Sequence, residues 1–216
     1  MAAAAGGRTD GPAAGLPVGV VLFLLVVGTA IRLAAQTSFH ATLGARYSST
    51  LVHDSIVTPV DVRAALAPAL TGAVDLPLSG PWRLELLADV STSPVRRHDA
   101  DGFTAPITRV WTVGVAVGLR RRLSSWLTGR GAIGGLKYVP TASVGVFSAG
   151  NGGIIPFGSL VFDAAPGTLS RRRLAVEIGG DLHRFLTPAL RNVGFTESRV
   201  VYRVTAGVRY DIRKAP

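Results

Sequence analysis

The chain has 216 residues, 48% of them hydrophobic and 17% charged, with 26 glycines, 13 prolines, no cysteine and a formal charge of +10. That length suits one domain, and the lack of cysteine excludes a disulfide framework, a thiolate metal site, a cysteine nucleophile and a lipid-modified cysteine. The positive charge raises nucleic acid as a partner, but the arginines are spread over strand faces and turns. No helix-turn-helix pattern or ribonucleoprotein aromatic motif accompanies them, so anionic lipid is the expected partner and nucleic acid is not.

Residues 1–15 are small and polar, with Arg8 as the basic group, and an apolar run from Leu16 to Val27 follows. The run is too short for a comfortable membrane span. Gly28-Thr29-Ala30 and Leu33-Ala34-Ala35 come next, each a small-residue cleavage signal, which predicts a secretory signal peptide over 1–35 cut near Ala30 or Ala35. An uncleaved anchor helix is the alternative. The exported domain is then 36–216.

Beyond the cut, side chains alternate with the period of a pleated strand. Phe39, Ala41, Leu43, Ala45 and Tyr47 alternate with His40, Thr42, Gly44, Arg46 and Ser48. A second segment, from Ala64 to Leu76, carries Leu66, Pro68, Leu70, Val74 and Leu76 on one face, with Pro68 predicting a bulge. Ser79-Gly80-Pro81 makes a turn, and Trp82, Leu84, Leu86, Ala88 and Val90 then alternate with Arg83, Glu85, Leu87, Asp89 and Ser91. Trp111, Val113, Val115, Val117 and Leu119 form the most apolar face, ending at Arg120-Arg121-Arg122. Segments five (126–138) and six (154–163) are glycine-rich, and their faces are not assigned. In the seventh, Leu174, Val176, Ile178 and Leu182 oppose Glu177, Asp181 and His183. The eighth is the clearest: Tyr202, Val204, Ala206, Val208, Tyr210 and Ile212 alternate with Arg203, Thr205, Gly207, Arg209, Asp211 and Arg213.

Eight strands, with long connections after the odd ones and short connections after the even ones, have the asymmetry of an outer-membrane barrel. With the start of the chain in the periplasm, Phe39, Trp82, Trp126, Phe162 and Tyr210 collect at the inner interface. Tyr47, Trp111, Phe157 and Tyr202 collect at the outer one, giving two aromatic girdles. The predicted fold is all-β, an eight-stranded antiparallel up-and-down transmembrane barrel behind a signal peptide. Over residues 36–213 this pattern resembles the small outer-membrane barrels of the OmpA and OmpX type. The resemblance implies the outer membrane of a diderm bacterium, lipopolysaccharide and phospholipid as neighbours, the outer-membrane assembly machinery as a partner, and a monomer. That family usually ends on an aromatic residue, whereas Arg213-Lys214-Ala215-Pro216 follow Tyr210 and Ile212 here.

The interior of an eight-stranded barrel is just wide enough for its own side chains. Arg46, Arg83, Glu85, Asp89, Arg130, Glu177, Asp181, Arg203, Arg209 and Asp211 would therefore meet inside as a polar plug, with Arg203 near Asp181 and Arg209 near Glu177. A narrow charged path for small solutes is the alternative. The histidines at 40, 53, 98 and 183 show no zinc-like spacing, so no metal or cofactor is expected. His53-Asp54-Ser55 has the His-X-Ser order of the outer-membrane lipid A deacylases, though Ile56 stands where that family has Asn, and no enzymatic activity is expected. A soluble lipocalin-like barrel holding a hydrophobic ligand is the remaining reading. Arg120-Arg121-Arg122, Arg171-Arg172-Arg173, Arg213 and Lys214 would face phospholipid headgroups on the inner side. The role expected of the whole is structural or interactional.

Overall fold

A computed structural model describes residues 37–54, 59–149, 152–192, 194 and 198–213. The expected signal peptide, Ser55, Ile56 and Lys214 lie outside them. The strands are β1 (Ser38–Ser48), β2 (Val52–Asp54), β3 (Val60–Ala64), β4 (Ala67–Pro77), β5 (Trp82–Asp99), β6 (Thr104–Arg122), β7 (Leu127–Pro140), β8 (Ile155–Ala164), β9 (Leu174–Phe185) and β10 (Arg199–Arg213). Two five-residue helices, α1 (Gly167–Arg171) and α2 (Pro188–Asn192), and a 3₁₀ turn at Gly145–Phe147 sit in connections.

β1, β4, β5, β6, β7, β8, β9 and β10 pair antiparallel in that order, and β10 pairs back onto β1 through Ala41↔Tyr210 and Ala45↔Ala206. The sheet is therefore a closed eight-stranded barrel, as the sequence predicts, and each of its strands is hydrogen-bonded on both sides. Closure matters because an unpaired strand edge has no water to bond to in hydrocarbon.

Alternation sorts the side chains. The faces read from β1, β4, β5, β6, β9 and β10 are oriented with their apolar members outward: Leu43, Leu70, Leu86, Val115, Ile178 and Val208 are exposed, while Thr42, Thr71, Glu85, Glu177 and Arg209 are buried. A soluble ligand-binding barrel has the reverse polarity, so the lipocalin-like reading is overturned. On β7 and β8, where the sequence left the faces open, Ile133, Leu160 and Phe162 point out and Arg130, Val161 and Asp163 point in.

Three expectations are corrected. Pro68 makes no bulge: it pairs in register with Ala45 and lies one residue beyond the β4–β5 ladder, where its missing N–H costs nothing. The described register shifts fall instead between Phe39 and His40 on β1 and between Val95 and Arg96, the latter just above the point where β5 leaves β4 at Ser91 and takes up β3 at Val95. The connection after the third barrel strand is not a long loop, because β5 and β6 continue outward as a hairpin closed at 100–103. There Asp99 N donates to Phe103 O at 2.9 Å. Phe157 is not an interface aromatic: with 7% exposure it faces the lumen, since its neighbours Pro156 and Gly158 take the outward positions.

The remaining girdle residues, Phe39, Trp82, Trp126, Phe162 and Tyr210 at one end and Tyr47, Trp111 and Tyr202 at the other, are exposed. At about 3.4 Å rise per residue and about 40° tilt, Tyr202 and Tyr210 stand about 21 Å apart along the barrel axis, close to the height of a lipid-facing band.

Above the outer girdle the lumen-facing positions turn apolar. Leu51, Val62, Val95, Val110, Leu136, Tyr138, Phe147, Phe185, Leu190 and Val201 form the one described apolar cluster of the molecule and cap the outer mouth. β2 and β3 continue the sheet beside the upper part of β5, and Asp61 there bonds His53 at 2.7 Å and pairs with Arg63. These two partners hold the Asp61 carboxyl below its ordinary range. A lowered carboxyl stabilises above its unfolded pKa and loses that contribution as pH falls through the folded one. Amides of β2 and β3 are therefore expected to lose protection, taken as the exchange rate relative to the intrinsic rate at each pH, as pH drops through that range while barrel amides keep theirs, and Asp61→Asn should reproduce the loss at neutral pH.

Candidate functional site

The lumen holds a layered ionic network. Strand geometry places residues of like charge beside one another: Arg83, Arg120 and Arg130 share one row across β5, β6 and β7, Asp75 faces Glu85 across β4 and β5, and Asp163 faces Glu177 across β8 and β9. Like charges directly opposite repel. The barrel resolves this by linking strands two apart. Arg120 on β6 reaches Asp75 on β4 at 2.7 Å and Asp163 on β8 at 2.9 Å. Arg130 on β7 reaches Glu85 on β5 at 2.6 Å and stands 3.9 Å from Glu177 on β9. Arg209 on β10 reaches Asp163 on β8 at 2.5 Å, and Arg46 on β1 pairs with Asp89 on β5.

Glycines make these spans fit. A Cβ at Gly114 would stand 2.3 Å from the Asp89 carboxylate, and one at Gly118 would stand 2.9 Å from Ala132. On β6, Gly114 thus leaves room for the Asp89 carboxylate of the neighbouring strand, and Gly118 lets the strand that the Arg130–Glu85 pair crosses approach β7 closely.

All ten residues expected in the network face the lumen. Arg46, Glu85, Asp89, Arg130, Glu177, Asp181, Arg203 and Arg209 are buried, whereas Arg83 and Asp211 are half-buried nearer the inner mouth. Arg203 bonds Asp181 at 2.8 and 3.1 Å, as the hairpin suggests. Arg209 does not meet Glu177: the register sets Glu177 opposite Gly207 and Arg209 opposite Ala175, and Thr42 bonds Glu177 instead.

Five members were not anticipated. Asp75 was passed over on the inward face of β4, Asp163 lies on a face the sequence left unread, and Arg120 was grouped with the exposed basic cluster although β6 runs on to Arg122. His40 and Tyr138 join from β1 and β7. His40 is 3.6 Å from Asp75 through Nδ1 and 3.2 Å from Glu85 through Nε2. Tyr138 bonds His183, which stands 3.4 Å from Asp181.

His40, Asp75 and Glu85 are close enough together to hold a metal ion. Their arrangement does not favour one. The two carboxylates face different imidazole nitrogens, and their nearer oxygens already accept Arg120 and Arg130. The cluster bridges charges on three strands, which chain spacing could not reveal.

The other singled-out residues lie outside the ionic layers. Arg121 stacks over Trp82 at 5.1 Å, Arg122, Arg171, Arg172 and Arg173 are exposed at the same end, and Arg213 pairs along the backbone with Phe39. His53 is occupied by Asp61, and His98 meets Thr104 at 3.1 Å.

No protein-family model and no curated protein matches the sequence. Among solved structures, the chain is similar to the outer membrane protein OprG from Pseudomonas aeruginosa, with 11% identity, TM-score 0.46, and coverage of 82% of this chain and 95% of that one. It is also similar to the outer membrane protein AlkL in lipid bilayers, at 12% identity and TM-score 0.45, covering 84% of this chain and 92% of that one. Neisserial surface protein A gives 11% identity and TM-score 0.44, covering 82% and 97%. The resemblance to small outer-membrane barrels drawn from the sequence holds for the fold, which is that of a closed eight-stranded barrel with an apolar exterior and an ionic interior.

Glu85 has 0% exposure, so removing its guanidinium strands a charge. Breaking one side of such a pair costs about 3–5 kcal/mol, whereas replacing both sides with apolar groups costs far less. Arg130→Ala should lower the unfolding midpoint of the detergent-folded barrel in urea, and Arg130→Met combined with Glu85→Leu should recover most of it.

Proposed function

We propose that this chain is an outer-membrane barrel of a diderm bacterium with a structural or surface-interaction role, and that its lumen passes no solute. The observation that carries this reading is a double seal. Ion pairs cross the middle of the lumen between strands two apart, and above them Phe147, Phe185, Leu51 and Val201, each with at most 1% exposure, close the outer mouth. Charges paired across a passage stabilise it shut, because opening it would strand them.

Membrane lipid is the partner supported by the apolar belt between two aromatic girdles, and assembly by the outer-membrane machinery as a monomer is part of the same proposal. No enzymatic role is proposed. The buried Asp181, His183 and Tyr138 chain lies beneath the apolar cap, out of reach of a substrate.

A narrow channel is the second reading. It rests on a vestibule of about 530 Å³ at the inner end, lined by Asp75, Arg83, Arg120, Arg122 and Arg209. The vestibule ends against the ionic layers.

The test is the chain folded into detergent. It is expected to shift its gel mobility on boiling in SDS, and in planar bilayers it is expected to show no conductance steps. Steps of uniform size would replace the sealed barrel with the channel, and solubility in plain buffer without detergent would remove the membrane placement.

A further inference from the structure

The outward face is not uniform around the barrel. On β8 the outward positions are Pro156, Gly158, Leu160 and Phe162, and Gly158 stands in register between Ile133 of β7 and Leu182 of β9. A Cβ at Gly158 would meet nothing within 4 Å, while Ile133 and Leu182 are 75% and 57% exposed. A trough results, with Gly158 as its floor and two aliphatic walls, continued by Val117, Pro156 and Val200. Adjacent strands are about 4.8 Å apart, so the walls rise about 9.6 Å apart at the backbone. Once their side chains are counted, the width of one methylene chain is left between them.

The charges on the outward face are as uneven as its relief. Between the girdles, the outward positions of the eight barrel strands carry no Asp or Glu among the described residues. Cations appear only at the ends, and at the outer end they include Arg96 on β5, Arg109 on β6, Lys137 on β7 and Arg184 on β9, all exposed. Arg184 lines the trough directly. Lys137 and Arg184 thus flank β8 at the level of the outer girdle, immediately above the Gly158 slot. Among the described residues no carboxylate pairs with either. A second outward glycine, Gly72 on β4, also opens a shallow apolar groove with Val74, Leu86 and Ala88. The outward residues above it, Pro68 and Leu66, carry no charge.

We propose that the β7–β9 face is a specific binding site for lipid A, with one acyl chain lying in the Gly158 slot and a sugar-borne phosphate held between Lys137 and Arg184. Long basic side chains at a membrane interface extend their charge into the headgroup layer, where a phosphate accepts it. The outer leaflet supplies an acyl chain and a phosphate on one molecule at this height. The site rests on the outer-membrane placement proposed above.

The test uses the full detergent-folded barrel, incubated with lipid A or with phosphatidylglycerol, and native mass spectrometry to count the lipid retained. Wild type should hold one lipid A in preference to phosphatidylglycerol. Lys137→Ala with Arg184→Ala should weaken retention about tenfold or more. Gly158→Trp, and Gly158→Leu as a smaller filling, should do the same with the cations intact, while Gly72→Trp should leave retention unchanged. Equal retention by the Gly158 and wild-type chains, equal loss at Gly72, or equal affinity for phosphatidylglycerol would each overturn the site. A chain that keeps its heat-dependent gel shift yet retains no lipid A removes only this site. A chain without the shift removes the membrane placement beneath it.

Discussion

A guanidinium inside an eight-stranded barrel can neither reach bulk water nor move aside. The lumen is as wide as two facing side chains, so every charge placed there must find its opposite among residues whose positions the pleat has already set. Much of the interior follows from that constraint. Arginines fall in one row and carboxylates in others, bonds skip a strand, and Gly114 leaves room beside Asp89 for its carboxylate. The apolar cap obeys the same rule from the other side, since above the last ion pairs no charge remains and the lumen-facing positions can be filled with Val, Leu and Phe.

The fold was legible because its signal is local. Strict alternation in β1 and β10, with an aromatic residue near each end, states both the strand and its two faces within a dozen residues. β7 and β8 were less readable, since Gly131, Gly134, Gly135 and Gly158 remove the side chains by which a face is recognised. Phe157 shows the cost: taken as a girdle residue from its place near a strand end, it points inward because the outward positions beside it are occupied by Pro156 and Gly158.

The ionic network was legible in membership and not in pairing. Charged residues on the lumen face could be listed from parity alone. Which of them meet depends on shear, the cumulative offset that sets β4 beside β5 and leaves Arg120 level with Arg130. Arg203 and Asp181 were foreseen because adjacent strands joined by one hairpin carry both, and the contacts of Arg209 with Asp163 and of Arg120 with Asp75 were missed because they cross a strand that contributes nothing to the bond. The outer sheet of β2 and β3 and the β5–β6 hairpin were likewise hidden, since their strands are short or continue past the apolar pattern that announces a lipid-facing segment.

Bonds between strands two apart also constrain how the barrel can come into being. β1 brings Arg46 to Asp89 on β5, two strands away, whereas Arg209 on β10 is shared between Asp163 on β8 and Asp211 of its own strand at 3.0 Å, so part of the network forms only when strands two apart come together. An open sheet carried into hydrocarbon would expose unpaired ions along its concave side as well as two raw edges, and both costs vanish together when β1 meets β10. The ion pairs between strands two apart thus act as a latch that favours the closed barrel over an open sheet in the bilayer.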